Sequence, residues 1–185
     1  MKKMKVAAVQ MVSGTSLDAN LDAARRLIAQ AADQGAQLVA LPEYFCFMGR
    51  ADADKLAIAE APGAGPIQAM LAEAAARHRV WLIGGTLPLQ CADPRRVLNT
   101  CCVHAPDGTL AARYDKIHLF RFERESGGVR ESYDEGRAIL AGSEPVAFDA
   151  AGLRVGLSIC YDLRFPELYR ALAKPPCDLL SVPSA

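Results

Sequence analysis

The alternation of short apolar runs with helix-period runs over the first half of the chain constrains the fold more than any other feature. Residues 5–11 read as a strand. After the Gly14-Thr15-Ser16 turn, Leu17, Leu21, Ala24, Ile28 and Ala31 recur at the helical period, and Gly35 is placed to stop the helix. Residues 37–41 form an apolar run of the fully buried kind, ended by Pro42. Pro66 opens a second helix through Arg77, with Ile67, Met70, Leu71 and Ala74 on its inner side, and residues 80–85 return to strand. This β-α-β-α-β order predicts an α/β fold with helices covering a largely parallel sheet.

The second half adds antiparallel pairing. Residues 97–104 and 109–114 flank Pro106-Asp107-Gly108, a turn-forming triplet, so they predict a hairpin and make the sheet mixed. Residues 121–142 are polar, contain Gly127-Gly128, and read as one long loop of the sort that is either functional or disordered. Strands at 145–149 and 153–159 meet through Ala150-Ala151-Gly152, a helix starts near Pro166, and 178–182 is a last apolar strand. Gly84-Gly85-Thr86 lacks the lysine and spacing of a phosphate loop, which leaves close backbone packing as its reading. No repeat, low-complexity tract or linker divides the chain, so residues 1–185 are expected to form one domain.

Lysine plus arginine number 21 and aspartate plus glutamate number 21, with no long run of either sign, which argues against nucleic-acid and membrane-surface partners and for a small molecule. The start Met1-Lys2-Lys3-Met4-Lys5 is basic, but the apolar stretch after it ends at Gln10, too short for a signal-peptide core. No segment approaches the ~20 apolar residues of a membrane span. A soluble cytoplasmic protein is expected. The six cysteines, Cys46, Cys91, Cys101, Cys102, Cys160 and Cys177, show no zinc spacing and read as free thiols. No metal or cofactor is implied.

Cys160 differs from the other five in its setting. It closes a strand and begins a strand-to-helix elbow in which Pro166 suits the first helical turn. A thiol near a helix N-terminus is expected to have its pKa lowered, and the exposed backbone N–H groups there, that of Tyr161 among them, suit an oxyanion hole. Alone this is weak, because a cysteine ending a buried strand is more often packing. A histidine partner is open among His78, His104 and His118. His118 is the best placed, since alternation turns it to the same face as Lys116. Glu43 falls just past a strand end, where α/β proteins keep catalytic groups.

Three blocks join these residues. Leu41-Pro42-Glu43-Tyr44, Tyr114-Asp115-Lys116-Ile117-His118-Leu119-Phe120 and Ile159-Cys160-Tyr161-Asp162-Leu163-Arg164-Phe165-Pro166-Glu167 resemble, in order and spacing, the signature blocks of the nitrilase superfamily of carbon-nitrogen hydrolases. With Ala8-Val9-Gln10-Met11 added, the resemblance runs the length of the chain. It implies an α-β-β-α sandwich and a catalytic Glu43, Lys116 and Cys160. It also implies an auxiliary pocket glutamate, matched to Glu131 with Glu123, Glu125 and Glu135 as competitors in the same stretch. Tyr161-Asp162 after the cysteine, where true nitrilases carry Trp then Glu, is similar to the Nit-type amidases. These act on small ω-amides of dicarboxylic acids, including deaminated glutathione and α-ketoglutaramate, without cofactor and as homodimers. Asp162, Arg164 and Glu167 read as structural ion pairs around the elbow.

By the same resemblance the sandwich is incomplete at the C-terminus, since family members continue past a position such as Ala185. The 185-residue chain is therefore expected to have low activity of its own. A catalytically inactive member that binds small molecules or partners is the alternative reading.

Overall fold

The computed structural model describes residues 3–127 and 129–185; Met1 and Lys2 of the basic start, and Gly128 of the glycine pair, lie outside the described residues. In chain order the elements are β1 Val6–Ala8, α1 Leu17–Asp33, β2 Leu38–Ala40, a 3-10 turn Asp52–Ile58, α2 Pro66–His78, β3 Trp81–Ile83, β4 Leu87–Gln90, β5 Val97–His104, β6 Leu110–Asp115, β7 Arg121–Ser126 and β8 Val129–Asp134. There follow a 3-10 turn Glu135–Arg137, β9 Ile139–Leu140, β10 Ala147–Ala150, β11 Leu153–Leu157, a 3-10 turn Cys160–Arg164, α3 Pro166–Leu172 and β12 Leu179–Ser181.

The helices start where their caps dictate. The Ser16 hydroxyl accepts the Ala19 N–H, with Asp18 in the first turn of α1. Pro66 is the first residue of α2, and the Glu60 carboxylate accepts the free N–H groups of Ile67 and Gln68. Leu21, Ala24 and Ile28 of α1 and Ile67, Met70, Leu71 and Ala74 of α2 are buried in one cluster with Val39, Leu41 and Leu82 of the sheet. The inward faces read from the sequence are thus the buried ones.

Strands β1, β2 and β3 pair in parallel. Antiparallel pairing then joins β3 to β5, and β5 to β4 and β6, giving a mixed seven-stranded sheet that also takes up β9. A second, three-stranded sheet has the order β10-β11-β12. Ile83, Cys101, Val103 and Tyr114 of the first sheet pack with Phe148, Val155 and Leu157 of the second. Strand alternation turns Gly156 the other way, where an added Cβ would press on Leu172, Cys177 and Leu180. So α3 covers the outer face of the second sheet. The layers run helix, sheet, sheet, helix, the α-β-β-α sandwich that the resemblance implies.

One expectation is corrected, and one strand is added. Residues 121–142 are not one loop, because Arg121–Ser126 and Val129–Asp134 pair as an antiparallel hairpin followed by a 3-10 turn and β9. β4 lay hidden because of Pro88, a residue tolerated at a sheet edge, which is where β4 lies. Among the described residues the six cysteines are free, and no helix is long and apolar enough to cross a membrane.

Candidate active site

Glu43 follows β2 on a tight turn. Tyr44 holds a left-handed φ of 52°, and its N–H donates to the Thr86 hydroxyl at 2.9 Å. Gly85 makes the turn possible: it too has positive φ, and a side chain there would strike the Pro42 carbonyl. The Gly84-Gly85-Thr86 segment is therefore backbone packing in service of Glu43. Lys116 lies one residue past β6, anchored by its N–H to the Asn99 carbonyl at 2.9 Å. Cys160 lies past β11 with φ 46°, its N–H donating to the Pro183 carbonyl at 2.9 Å.

These three ends meet at a cavity of about 1050 Å³ lined by Glu43, Lys116, Cys160 and Tyr161. Lys116 Nζ donates to Glu43 Oε1 at 3.0 Å, and both side chains are buried. Asn99, fully buried on β5, donates from Nδ2 to the same Glu43 oxygen at 3.0 Å and to the Tyr44 hydroxyl at 2.9 Å. The Ala185 N–H reaches the other Glu43 oxygen at 3.1 Å.

A second carboxylate completes the site, and it is not the expected one. Glu131 is exposed on β8, opposite Arg124 on the hairpin. Glu135 instead is 2 % exposed and takes Lys116 Nζ at 3.1 Å, the Tyr44 hydroxyl at 2.9 Å and the Phe120 N–H at 2.8 Å. The strand from Glu131 to Asp134 carries Glu131 about 10 Å further out, at roughly 3.3 Å per residue. Glu135 stood among the competing glutamates, but nothing in its neighbours marked it. Asn99 escaped the sequence reading altogether, although an amide inside the otherwise apolar stretch Val97-Leu98 and Cys101-Cys102-Val103 is a signal.

The electrostatics follow from burial and pairing. Burial works to lower the Lys116 pKa, but the carboxylates of Glu43 and Glu135 outweigh it, so the ammonium form is favoured. The Cys160 thiol is pushed up, first by burial, then by the charge of Glu43; Lys116 and the Ala185 N–H oppose this. The expected lowering by a helix terminus is corrected here. A 3-10 turn, Cys160–Arg164, stands between Cys160 and α3, and burial, followed by the charge of Glu43, prevails. Burial followed by Glu135 and Glu43 raises the Tyr44 phenol well above its ordinary value, so it stays a donor.

The histidines do not pair with the thiol. His118 is committed to Asp162, with Nδ1 at 2.7 Å, and stacks on Phe165 at 3.7 Å between ring centroids. His104 is buried on β5, and His78 ends α2. Of the residues expected to form elbow ion pairs, Glu167 pairs with Arg170 at 3.1 Å, Asp162 is hydrogen-bonded to His118, and Arg164 is exposed and lines the cavity.

The profile described as carbon-nitrogen hydrolase matches residues 5–185. The chain belongs to the carbon-nitrogen hydrolase family. This carbon-nitrogen hydrolase is 40 % identical over 188 residues to a deaminated glutathione amidase of Synechocystis sp., across 100 % of the chain and 67 % of the relative. It is 36 % identical over 185 residues to the human omega-amidase NIT2, across 100 % of the chain and 64 % of the relative. The crystal structure of Saccharomyces cerevisiae Nit3, a member of branch 10 of the nitrilase superfamily, superposes with TM-score 0.82 at 30 % identity over 98 % of the chain and 64 % of Nit3. The chain thus spans about two thirds of the length of these relatives. Its resemblance is to the Nit-type amidases, and the α/β sandwich is theirs.

Proposed function

We propose that this carbon-nitrogen hydrolase cleaves a small linear amide, the ω-amide of a dicarboxylic acid, to the carboxylic acid and ammonia through a thioester on Cys160. The observation that carries this reading is one buried ammonium, Lys116, clamped between Glu43 and Glu135 at the wall of the cavity that holds the thiol.

Because Cys160 rests as a thiol, it needs a base, and the Glu43 carboxylate, which lines the same cavity, takes the proton as sulfur attacks the amide carbon. The negative charge that grows on the carbonyl oxygen is met by the Lys116 ammonium and the Tyr161 backbone N–H. Glu43 then passes its proton to the departing nitrogen, ammonia leaves, and the acyl group stays on sulfur. In the second half Glu43 takes a proton from water, hydroxide attacks the thioester, and the acid departs as the thiol is restored. Glu135 keeps Lys116 charged and aimed throughout. No step calls for a metal or an organic cofactor.

The substrate class is supported by the cavity wall, where the exposed Arg164 guanidinium offers a partner for the far carboxylate of an ω-amide. Phe120, Phe122 and Tyr161 supply apolar wall for the carbon chain between. Deaminated glutathione and α-ketoglutaramate fit this description, and the names of the relatives agree with it. The reading extends to a cytoplasmic homodimer, supported by the family resemblance and testable by sedimentation equilibrium. Ammonia release from succinamate and α-ketoglutaramate tests the whole. Turnover of both that is lost with Cys160→Ala supports it, and turnover of neither by the wild type counts against it.

A further inference from the structure

Asp162 is wholly buried two residues past Cys160, and its carboxylate takes donors from two separate segments. Oδ2 accepts the Ile159 N–H at 2.8 Å and the Tyr114 hydroxyl at 2.6 Å. Oδ1 accepts the His118 N–H at 2.9 Å and faces His118 Nδ1 at 2.7 Å, which carries the proton when the carboxylate is ionised. Ile159 immediately precedes Cys160. Tyr114 and His118 stand two residues before and two residues after Lys116.

The placement matters because the segments bearing the thiol and the ammonium leave different sheets: β11 belongs to the three-stranded sheet and β6 to the seven-stranded one. Among the described residues no strand pairing joins those two sheets, and side-chain packing alone is a loose way to fix two reacting groups. Cys160 moreover holds a left-handed φ of 46°, a conformation that persists only where its surroundings enforce it. The main chain of Asp162 helps to enforce it, since its N–H donates to the Ile159 carbonyl and its carbonyl accepts the Phe165 N–H, both at 3.0 Å. We propose that Asp162 is a positioning residue that fixes the Cys160 thiol relative to Lys116 and Glu43 across the joint between the sheets. The inference rests on the reading of those three residues as reaction partners.

The test is the pH profile of Cys160 alkylation by iodoacetamide, followed by peptide mass mapping, in wild type, Asp162→Asn and Tyr114→Phe, with circular dichroism and thermal unfolding on each. A joint that served stability alone would lower the melting temperature and leave the midpoint of the thiol profile in place. A positioning joint moves the midpoint down, toward that of an ordinary thiol, because burial and Glu43 are what hold it up. Asp162→Asn is expected to shift it by about half a unit or more. It should also cut kcat for ammonia release by about 100-fold with KM within about threefold, as a small misplacement of reacting groups does. Tyr114→Phe removes one hydroxyl, spares the fold, and shifts the midpoint in the same direction; if Asp162→Asn does not fold, this variant decides. Folded variants that keep the wild-type midpoint overturn the proposal. If the wild type releases no ammonia and the midpoint still shifts, the positioning stands and the amidase reading fails.

Discussion

Lys116 Nζ stands 3.0 Å from Oε1 of Glu43 and 3.0 Å from Oε2 of Glu135, and all three side chains are almost closed to water. One ammonium therefore answers two buried carboxylates. Its loss is more serious than the loss of an ordinary ion pair, because it leaves uncompensated charge inside the protein. Lys116→Ala is expected to lower stability by about 3–5 kcal/mol, as well as to abolish turnover. Urea unfolding checks the first part, and a variant with the wild-type midpoint would mean that the carboxylates find other partners.

Glu135 and Glu131 offer a sharper discrimination. Glu135→Gln weakens the hold on Lys116 and is expected to lower kcat about tenfold or more, a loss of at least about 1.4 kcal/mol of transition-state stabilisation. Glu131→Gln changes an exposed hairpin position and should leave kcat within about twofold of wild type, as surface changes away from a site do. The reverse order in an ammonia assay would return the auxiliary role to Glu131.

The two glutamates also mark where the sequence stopped being legible. Glu43 and Cys160 each follow a strand whose apolar run is plain, whereas Lys116, after Arg113-Tyr114-Asp115, is marked only by the resemblance of its block. The hairpin 121–134 carries charge on both faces, as Arg121-Phe122-Glu123-Arg124-Glu125 shows, and the aromatic pair Phe122–Tyr133 is too short a signal to give the alternation that betrays a strand. Its turn back toward the site, which delivers Glu135, was hidden for the same reason. Asn99 needed the register of β5 against β4 and β6 before its side chain could be aimed at Glu43. The Cys160 pKa direction was misread because the sequence shows the approach to α3 but neither the burial of the thiol nor the charge of Glu43 beside it.

Thiol reactivity should separate Cys160 from the rest. Burial pushes Cys46 and Cys102 up to about 12 and raises Cys101 as well, so these three stay protonated and closed to reagent. Cys91 and Cys177 are half-buried with their sulfurs against backbone carbonyls. Brief iodoacetamide treatment at neutral pH followed by mass mapping is expected to find Cys160 modified first, although its own thiol is raised, because it alone opens into the cavity beside a base. First labelling of Cys91 or Cys177 would contradict this.

The same buried thiols set an alkaline limit to stability. Cys46 and Cys102 titrate near an ordinary value of 9.0 when unfolded and at about 12 when folded. Between those values the folded state binds more protons than the unfolded state, so stability falls as pH rises. Their contribution is whole below about pH 9 and is lost progressively as pH climbs toward about 12. The urea midpoint should therefore drop between about pH 8 and about pH 10.5. A flat or rising midpoint over that range would show that these thiols titrate alike in both states.

The central claim is that Cys160 carries the acyl group. Its most direct test is peptide mass mapping of the protein quenched in acid during turnover of succinamate. The account predicts an adduct of the succinyl mass on the peptide that contains Cys160, released by hydroxylamine and formed in step with ammonia. Ammonia released at the wild-type rate by Cys160→Ala, or an acyl adduct on any other residue, would contradict it.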